Sequence, residues 1–175
     1  MHTPNLSDTD FAILGLAQQF EQQDTVLLQH WKSLQAQMHP DRFASQGQAA
    51  QRLATQWSVR INEAYQRIKN PVSRAALLCE LAGFPIDPET NTAMPAEFLM
   101  QQMQWREALE EAQTVADVEQ LQKAVTLHKN KALSTLSWLI DEKGDFPQAA
   151  QQTRALMFMD RFLKDIHKKL DLLDA

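Results

Sequence analysis

His39 and Asp41 are the residues best placed to do chemistry, an imidazole and a carboxylate on either side of Pro40. Such a pair can serve acid–base catalysis, ligate a metal, or present a charge to a partner. The first two tasks need more than the pair supplies. His30 is the nearest further imidazole, and no third ligand stands at useful spacing. A Gly-rich phosphate loop and a nucleophile motif are both absent from the chain. The expectation is therefore no metal, no cofactor and no enzymatic activity. His128 and His167 fall in amphipathic stretches and read as solvated or core-edge residues. Cys79 lies beside Leu77, Leu78 and Leu81 and reads as a small buried hydrophobe. As the only cysteine, it leaves no intramolecular disulfide and no four-cysteine zinc or iron–sulfur site.

The elements that must position the pair are two helices. Val26, Leu27, Trp31, Leu34 and Met38 recur three or four apart. So do Ala50, Leu53, Ala54, Trp57, Ile61, Ala64, Tyr65 and Ile68. Each series predicts an amphipathic helix with one buried stripe. Pro40 pushes His39 out of the α region and cannot donate an amide, so the first of the two helices ends near Met38. The result is a hairpin whose tip presents an imidazole, a rigid ring and a carboxylate, uncovered by secondary structure. A plainer reading is that His39 ends one helix and Asp41 caps the next.

Composition agrees with helices throughout. The chain has 175 residues, only 4 Gly and 1 Tyr, abundant Gln, Ala and Leu, and no sustained alternating apolar run. A net charge of −5 and the lack of a basic recognition helix argue against nucleic acid or an anionic membrane as partner. No window approaches the roughly 20 apolar residues of a membrane span. The polar start, Met1 to Asp10, has no apolar signal core, so a cytoplasmic location is expected.

Ser7 or Asp8 offers a cap for a first helix of about three turns carrying Phe11, Leu14, Leu16 and Phe20. The hairpin helices are predicted over about 24–38 and 47–69, and a fourth helix over about 71–82, opened by Pro71. Gly83-Phe84-Pro85-Ile86-Asp87-Pro88 is the clearest breaker cluster. It divides the chain into a domain at 1–82, a linker at 83–94 and a domain at 95–175. The second domain holds predicted helices over about 95–112, 115–142 and 147–173, whose short connections predict a three-helix bundle.

The helix after Pro95 has two apolar faces at about 100° per residue. Phe98, Trp105, Ala108, Leu109 and Ala112 make a core stripe, while Leu99, Met100 and Met103 fall on the other side above Glu107 and Glu111. On the last helix Leu156, Met159, Leu163, Ile166 and Leu170 make the stripe, and Phe158 points away from it. A second apolar patch needs a cover. Either the first domain packs over it, or it docks a partner, for which adaptable methionines rimmed by charge are well suited.

The order of motifs brings a resemblance. An amphipathic helix leads into His39-Pro40-Asp41-Arg42-Phe43, then a helix ending Ile61-Asn62-Glu63-Ala64-Tyr65-Gln66-Arg67-Ile68, then Asn70-Pro71-Val72-Ser73-Arg74-Ala75. Over residues 8–76 this resembles the J-domain of the DnaJ-type co-chaperones. Together with a helical C-terminal domain carrying Phe98-Leu99-Met100, Arg106-Glu107 and Phe158-Met159-Asp160, it resembles the HscB-type co-chaperones of bacterial iron–sulfur cluster assembly.

The resemblance implies an all-α fold with two partners. His39, Pro40 and Asp41, with Lys32 and Arg42, would engage the DnaK-type ATPase chaperone HscA. Leu99, Met100, Met103, Glu107, Glu111 and Phe158 would bind the scaffold protein IscU. The protein, expected as a monomer, would deliver the scaffold and stimulate ATP hydrolysis by the chaperone. The alternative is a general J-domain co-chaperone recruiting unfolded clients. Two departures stand out: Gln104 replaces an expected acid in the patch, and the second helix carries only Lys32 with His30 nearby. The electrostatic part of chaperone docking would then be weaker, or shifted onto Arg42, Arg60 and Arg67. The cysteine-rich N-terminal extension of animal members is not found before the first helix, as expected of a bacterial type.

Overall fold

A computed structural model describes residues 4–87, 89 and 92–175. Among these residues every regular element is helical, which agrees with the expected all-α class. The chain forms two units, Met1–Leu78 and Cys79–Ala175. The division falls inside the fourth helix, ahead of the Gly83–Pro88 cluster where the sequence reading sets it.

The first unit holds α1, Asp10–Ile13, α2, Asp24–Gln37, and α3, Gln48–Lys69, while α4, Pro71–Leu81, begins in it and ends in the second. The expected three-turn first helix is a single turn. Gly15 at φ 64° carries the chain out of it, and Leu16 N–H donates back to the Phe11 carbonyl at 2.9 Å. Its cap is Thr9, whose hydroxyl accepts from Ala12 N–H at 3.2 Å. Asp8 instead accepts from Asn5 N–H at 2.8 Å, in the turn before it. At the start of α4, Asn70 accepts from Val72 N–H at 2.8 Å and Pro71 fills the first helical position.

The core of this unit sits at the end of the α2–α3 hairpin away from its tip. Phe11, Leu14, Phe20, Leu27, Ile61, Ala64 and Ile68 are buried there, and Trp31 stacks on Tyr65 with centroids 4.6 Å apart. Toward the tip burial thins. Leu34 and Met38 are half-buried, and Leu53, assigned to the stripe of α3 by its spacing, is exposed. Gln35 and Ser58 tie the helices there: Gln35 Nε2 donates to the Ser58 carbonyl at 3.0 Å and Ser58 Oγ to Gln35 Oε1 at 2.6 Å.

In the second unit, α5 is Ala96–Glu111, α6 is Val115–Ser137 and α7 is Phe146–Asp174. Thr114 and Asp117 form a reciprocal capping box at the start of α6. Where one helix is expected to run to Glu142, α6 widens into a π-helical turn over Trp138–Lys143. That turn closes at Gly144, φ 64°, with Asp145 N–H on the Leu139 carbonyl at 2.8 Å. Asp145 then caps α7 by accepting from Gln148 N–H at 3.2 Å. Contacts of Lys129 with Asp160 and Gln122 with His167 set α6 and α7 antiparallel.

The long helix α7 is buried on more than one face. Leu156, Met159 and Ile166 are buried, as are Val118, Val125 and Leu136 of α6, and Phe158 and Phe162 are buried as well. Leu163 and Leu170, assigned to its stripe by spacing, are half-buried. On α5, Phe98 and Trp105 are buried as expected, Leu109 is half-buried and Ala108 is exposed.

Candidate functional site

The His-Pro-Asp tip is built by the local rules that ended α2. Met38 N–H donates to the Leu34 carbonyl at 3.0 Å, the last bond of that helix. His39 then turns extended, φ −65° and ψ 127°, as a residue before proline must. Pro40 opens a 3-10 stretch, Pro40–Gln46. His39 Nδ1 accepts from Asp41 N–H at 3.3 Å. The Asp41 carboxylate is 3.5 Å from Nδ1, and the two side chains are 60% and 89% exposed. Arg42 donates from Nη1 to the Ala36 carbonyl at 3.2 Å, pinning the loop to the end of α2.

Asp41 does not cap α3. That helix starts at Gln48 behind Gly47, whose φ of 97° sets the entry, and has no side-chain cap. The carboxylate therefore stands outward in the first turn of the 3-10 stretch, which His39 caps through Nδ1. Lys32 is exposed on α2. Arg60 and Arg67, expected as alternative docking charges, are already engaged. Arg60 pairs with the buried Asp10 carboxylate at 2.7 Å and donates to the Leu6 and Asp8 carbonyls at 3.0 and 2.7 Å. Arg67 pairs with the same carboxylate. This buried ionic cluster left no signal in the periodicity, since Asp10 lies far along the chain from both arginines.

His30 is likewise structural: its Nδ1 lies 2.7 Å from the Leu14 carbonyl and donates to it, holding the turn after α1. Among the described residues no three His, Cys, Asp or Glu side chains gather as a metal would require. No helix among them is long and apolar enough to cross a membrane. Cys79 is buried, and that burial pushes its thiol pKa up to about 11, despite a Thr153 hydrogen bond and the nearby Arg154 charge that lower it.

On α5 the structure separates the two apolar faces. Phe98 and Trp105 turn inward, whereas Leu99, Met100 and Met103 are 47%, 67% and 72% exposed. Glu107 and Glu111 are exposed beside them. Phe158 departs from expectation: only 8% exposed, it is a core residue rather than an open member of the patch. Its ring packs edge-on against Phe98 at 5.8 Å and stacks with Phe162 at 5.9 Å, and the Arg106 guanidinium covers it at 5.3 Å. A single stripe assigned to α7 hides this, because that helix buries a second face. His128 also enters the cluster, 5.1 Å from Trp105, and burial followed by the Lys131 charge lowers its pKa.

A helical hairpin with an exposed His-Pro-Asp tip, joined to a helical unit with an uncovered apolar patch, defines a J-type co-chaperone. Comparison with known proteins specifies which kind. Residues 94–167 match the family model described as the HSCB C-terminal oligomerisation domain. A co-chaperone protein HscB homolog of Bordetella petrii is 40% identical over 161 residues, covering 91% of this chain and 95% of that one. A second, from Azoarcus sp. strain BH72, is 38% identical over 173 residues, covering 97% and 98%. Among solved structures, chaperone HscB from Vibrio cholerae superposes with a TM-score of 0.80 at 29% identity, covering 95% of this chain and 99% of that one. Human co-chaperone HscB shares the fold, TM-score 0.87 at 24% identity over 97% and 85% of the two chains. The chain belongs to the HscB co-chaperone family.

Proposed function

We propose that this chain binds the iron–sulfur scaffold protein IscU, delivers it to the DnaK-type chaperone HscA and stimulates that chaperone's ATP hydrolysis. Residues 1–82 act as the J-domain, 83–94 as linker and 95–175 as the scaffold-binding domain, in a cytoplasmic monomer that is not itself an enzyme. The observation that carries this reading is the pair His39 and Asp41, both largely exposed on a tip where neither caps α3 and no residue of Pro40–Gln46 is buried. An exposed carboxylate of this kind accepts charge-assisted bonds from a partner's arginine. His39 and Pro40 shape the loop, Arg42 pins it, and Lys32 adds a cation along α2.

The phosphate chemistry belongs to the partner. Binding that favours the hydrolysis-competent conformation of the chaperone raises its rate by shifting a population, and the coupling is reciprocal. Leu99, Met100 and Met103 supply the exposed apolar surface for the scaffold, with Glu107 and Glu111 on its rim. Phe158, buried against Phe98 and Phe162 and covered by Arg106, stands behind the inner face of α5 rather than in that surface.

Calorimetric titration of the folded scaffold protein into the full chain tests the reading. The chain is expected to bind, and the Leu99→Ala, Met103→Ala double variant to lose most of the affinity. Equal binding by an unfolded polypeptide would favour a general co-chaperone for unfolded clients. Concentration-dependent self-association abolished by the same double variant would turn the patch into the oligomerisation surface that the family description names.

A further inference from the structure

Helix α5 is fastened to its unit by rings. Phe98 and Trp105 are its only buried residues. Phe98 meets Phe158 of α7 edge-on at 5.8 Å, and Trp105 stacks on Phe162 at 6.1 Å. Both also meet His128 of α6, at 5.8 and 5.1 Å, and Arg106 lies over the Phe158 ring. Among the described residues α5 makes no ion pair and no side-chain hydrogen bond with α6 or α7; Gln102 reaches back to Met94, and Gln101 to Gln104. By contrast, Lys129 with Asp160 and Gln122 with His167 tie α6 to α7. The backbone leaves α5 separate too. Ala112, φ −64° and ψ 124°, and Thr114, φ −121° and ψ 156°, are extended, so the helical hydrogen-bond ladder breaks between α5 and α6.

Of the side chains in this seat, His128 is the one that takes up a proton near neutral pH. It is half-buried, and among the described residues it has no hydrogen bond and no carboxylate within ion-pair reach. On its own helix, the charge acting on it is that of Lys131. From α5 come Arg106 and Glu110, and from α7 Arg161 and Asp165, all lining the groove at Phe158 and Phe162, while Asp160 is taken by Lys129. An imidazolium beside Phe98 and Trp105 is therefore disfavoured while α5 is seated and free to form once the ring meets water.

We infer that α5 opens as a unit away from the α6–α7 pair, pivoting at residues 112–114, and that protonation of His128 drives the opening. An isolated helix of this length is marginal in water, so the opened segment no longer presents Leu99, Met100 and Met103 on one face. Resting on the scaffold-docking reading of that patch, a bound scaffold holds α5 seated and opposes uptake of the proton.

The test is hydrogen exchange of the full chain by mass spectrometry at about pH 7.5 and about pH 5.5, either side of the ordinary imidazole value, with intrinsic rates corrected. Wild type is compared with His128→Gln, which keeps a polar group, and His128→Phe, which keeps a ring. The amides of residues 98–111 should open ahead of those of α6 and α7. Lowering the pH should raise that opening about threefold more in wild type than in either variant, since neither new side chain takes up a proton. Comparing two pH values within each protein cancels any stability change the substitution brings. Exchange of α5 in step with α6 and α7, or the same pH response in the variants, overturns the inference. Saturating scaffold protein should slow α5 exchange in wild type. If α5 opens with the expected pH response while the scaffold leaves its exchange unchanged, the patch reading falls and the opening stands.

Discussion

The Asp10 carboxylate, only 3% exposed, pairs with the Arg60 guanidinium at 2.7 Å and so fastens the one-turn α1 to the middle of α3. Arg67 closes on the same carboxylate from further along α3. The hairpin tip is thinly packed, so this cluster and the adjacent Phe11–Ile61 core region carry the order of the first unit.

Asp10→Asn keeps the shape and removes the charge, leaving two guanidiniums with no counter-charge. Breaking a buried pair from one side costs about 3 kcal/mol or more. Urea denaturation followed by tryptophan fluorescence should show that loss. A change below about 1 kcal/mol would mean that the cluster is not structural.

Patch and core should separate by stability. Leu99→Ala with Met103→Ala alters exposed side chains and should move unfolding free energy by no more than about 0.5 kcal/mol. Phe158→Ala opens the aromatic cluster beneath Arg106 and should cost about 3 kcal/mol. Thermal melts of the two variants decide it. Equal destabilisation would place Leu99 and Met103 in a packed interface.

His128 gives a pH signature. Burial against Phe98 and Trp105, with Lys131 nearby, holds its folded pKa below the ordinary 6.5. The unfolded chain therefore takes up the proton more readily, and stability is lost as pH falls from about 6.5 through the folded value. In wild type the melting temperature should drop across that window more steeply than in His128→Gln. An NMR titration of the imidazole with a midpoint above 6.5 would contradict the assignment.

Cys79, the only thiol, should be slow toward a disulfide reagent at pH 8 in the native protein and react promptly in urea. With its pKa pushed up to about 11, the thiolate is scarce as well as covered. Prompt native reaction would show that the end of α4 opens readily.

The parts of this fold legible in the sequence are those set by local chemistry. Pro40 ends α2, Asn70-Pro71 separates α3 from α4, and the spacing of Phe98 and Trp105 against Leu99 and Met103 gives α5 its two faces. What stayed hidden depends on residues far apart. Asp10 with Arg60 and Arg67 has no periodic signature, and Phe158 is buried because α7 meets neighbours on two sides. Gly15, with its positive φ, shortens α1 where apolar spacing alone runs on to Phe20.

The most direct test of the account is steady-state ATP hydrolysis by the cognate DnaK-type chaperone, with scaffold protein present, comparing wild type with His39→Gln. The His39 side chain is exposed, so both proteins should be equally folded by circular dichroism. Strong stimulation by wild type, none by the variant, and a smaller wild-type effect without scaffold is the predicted result. Equal rates with the two proteins would contradict it.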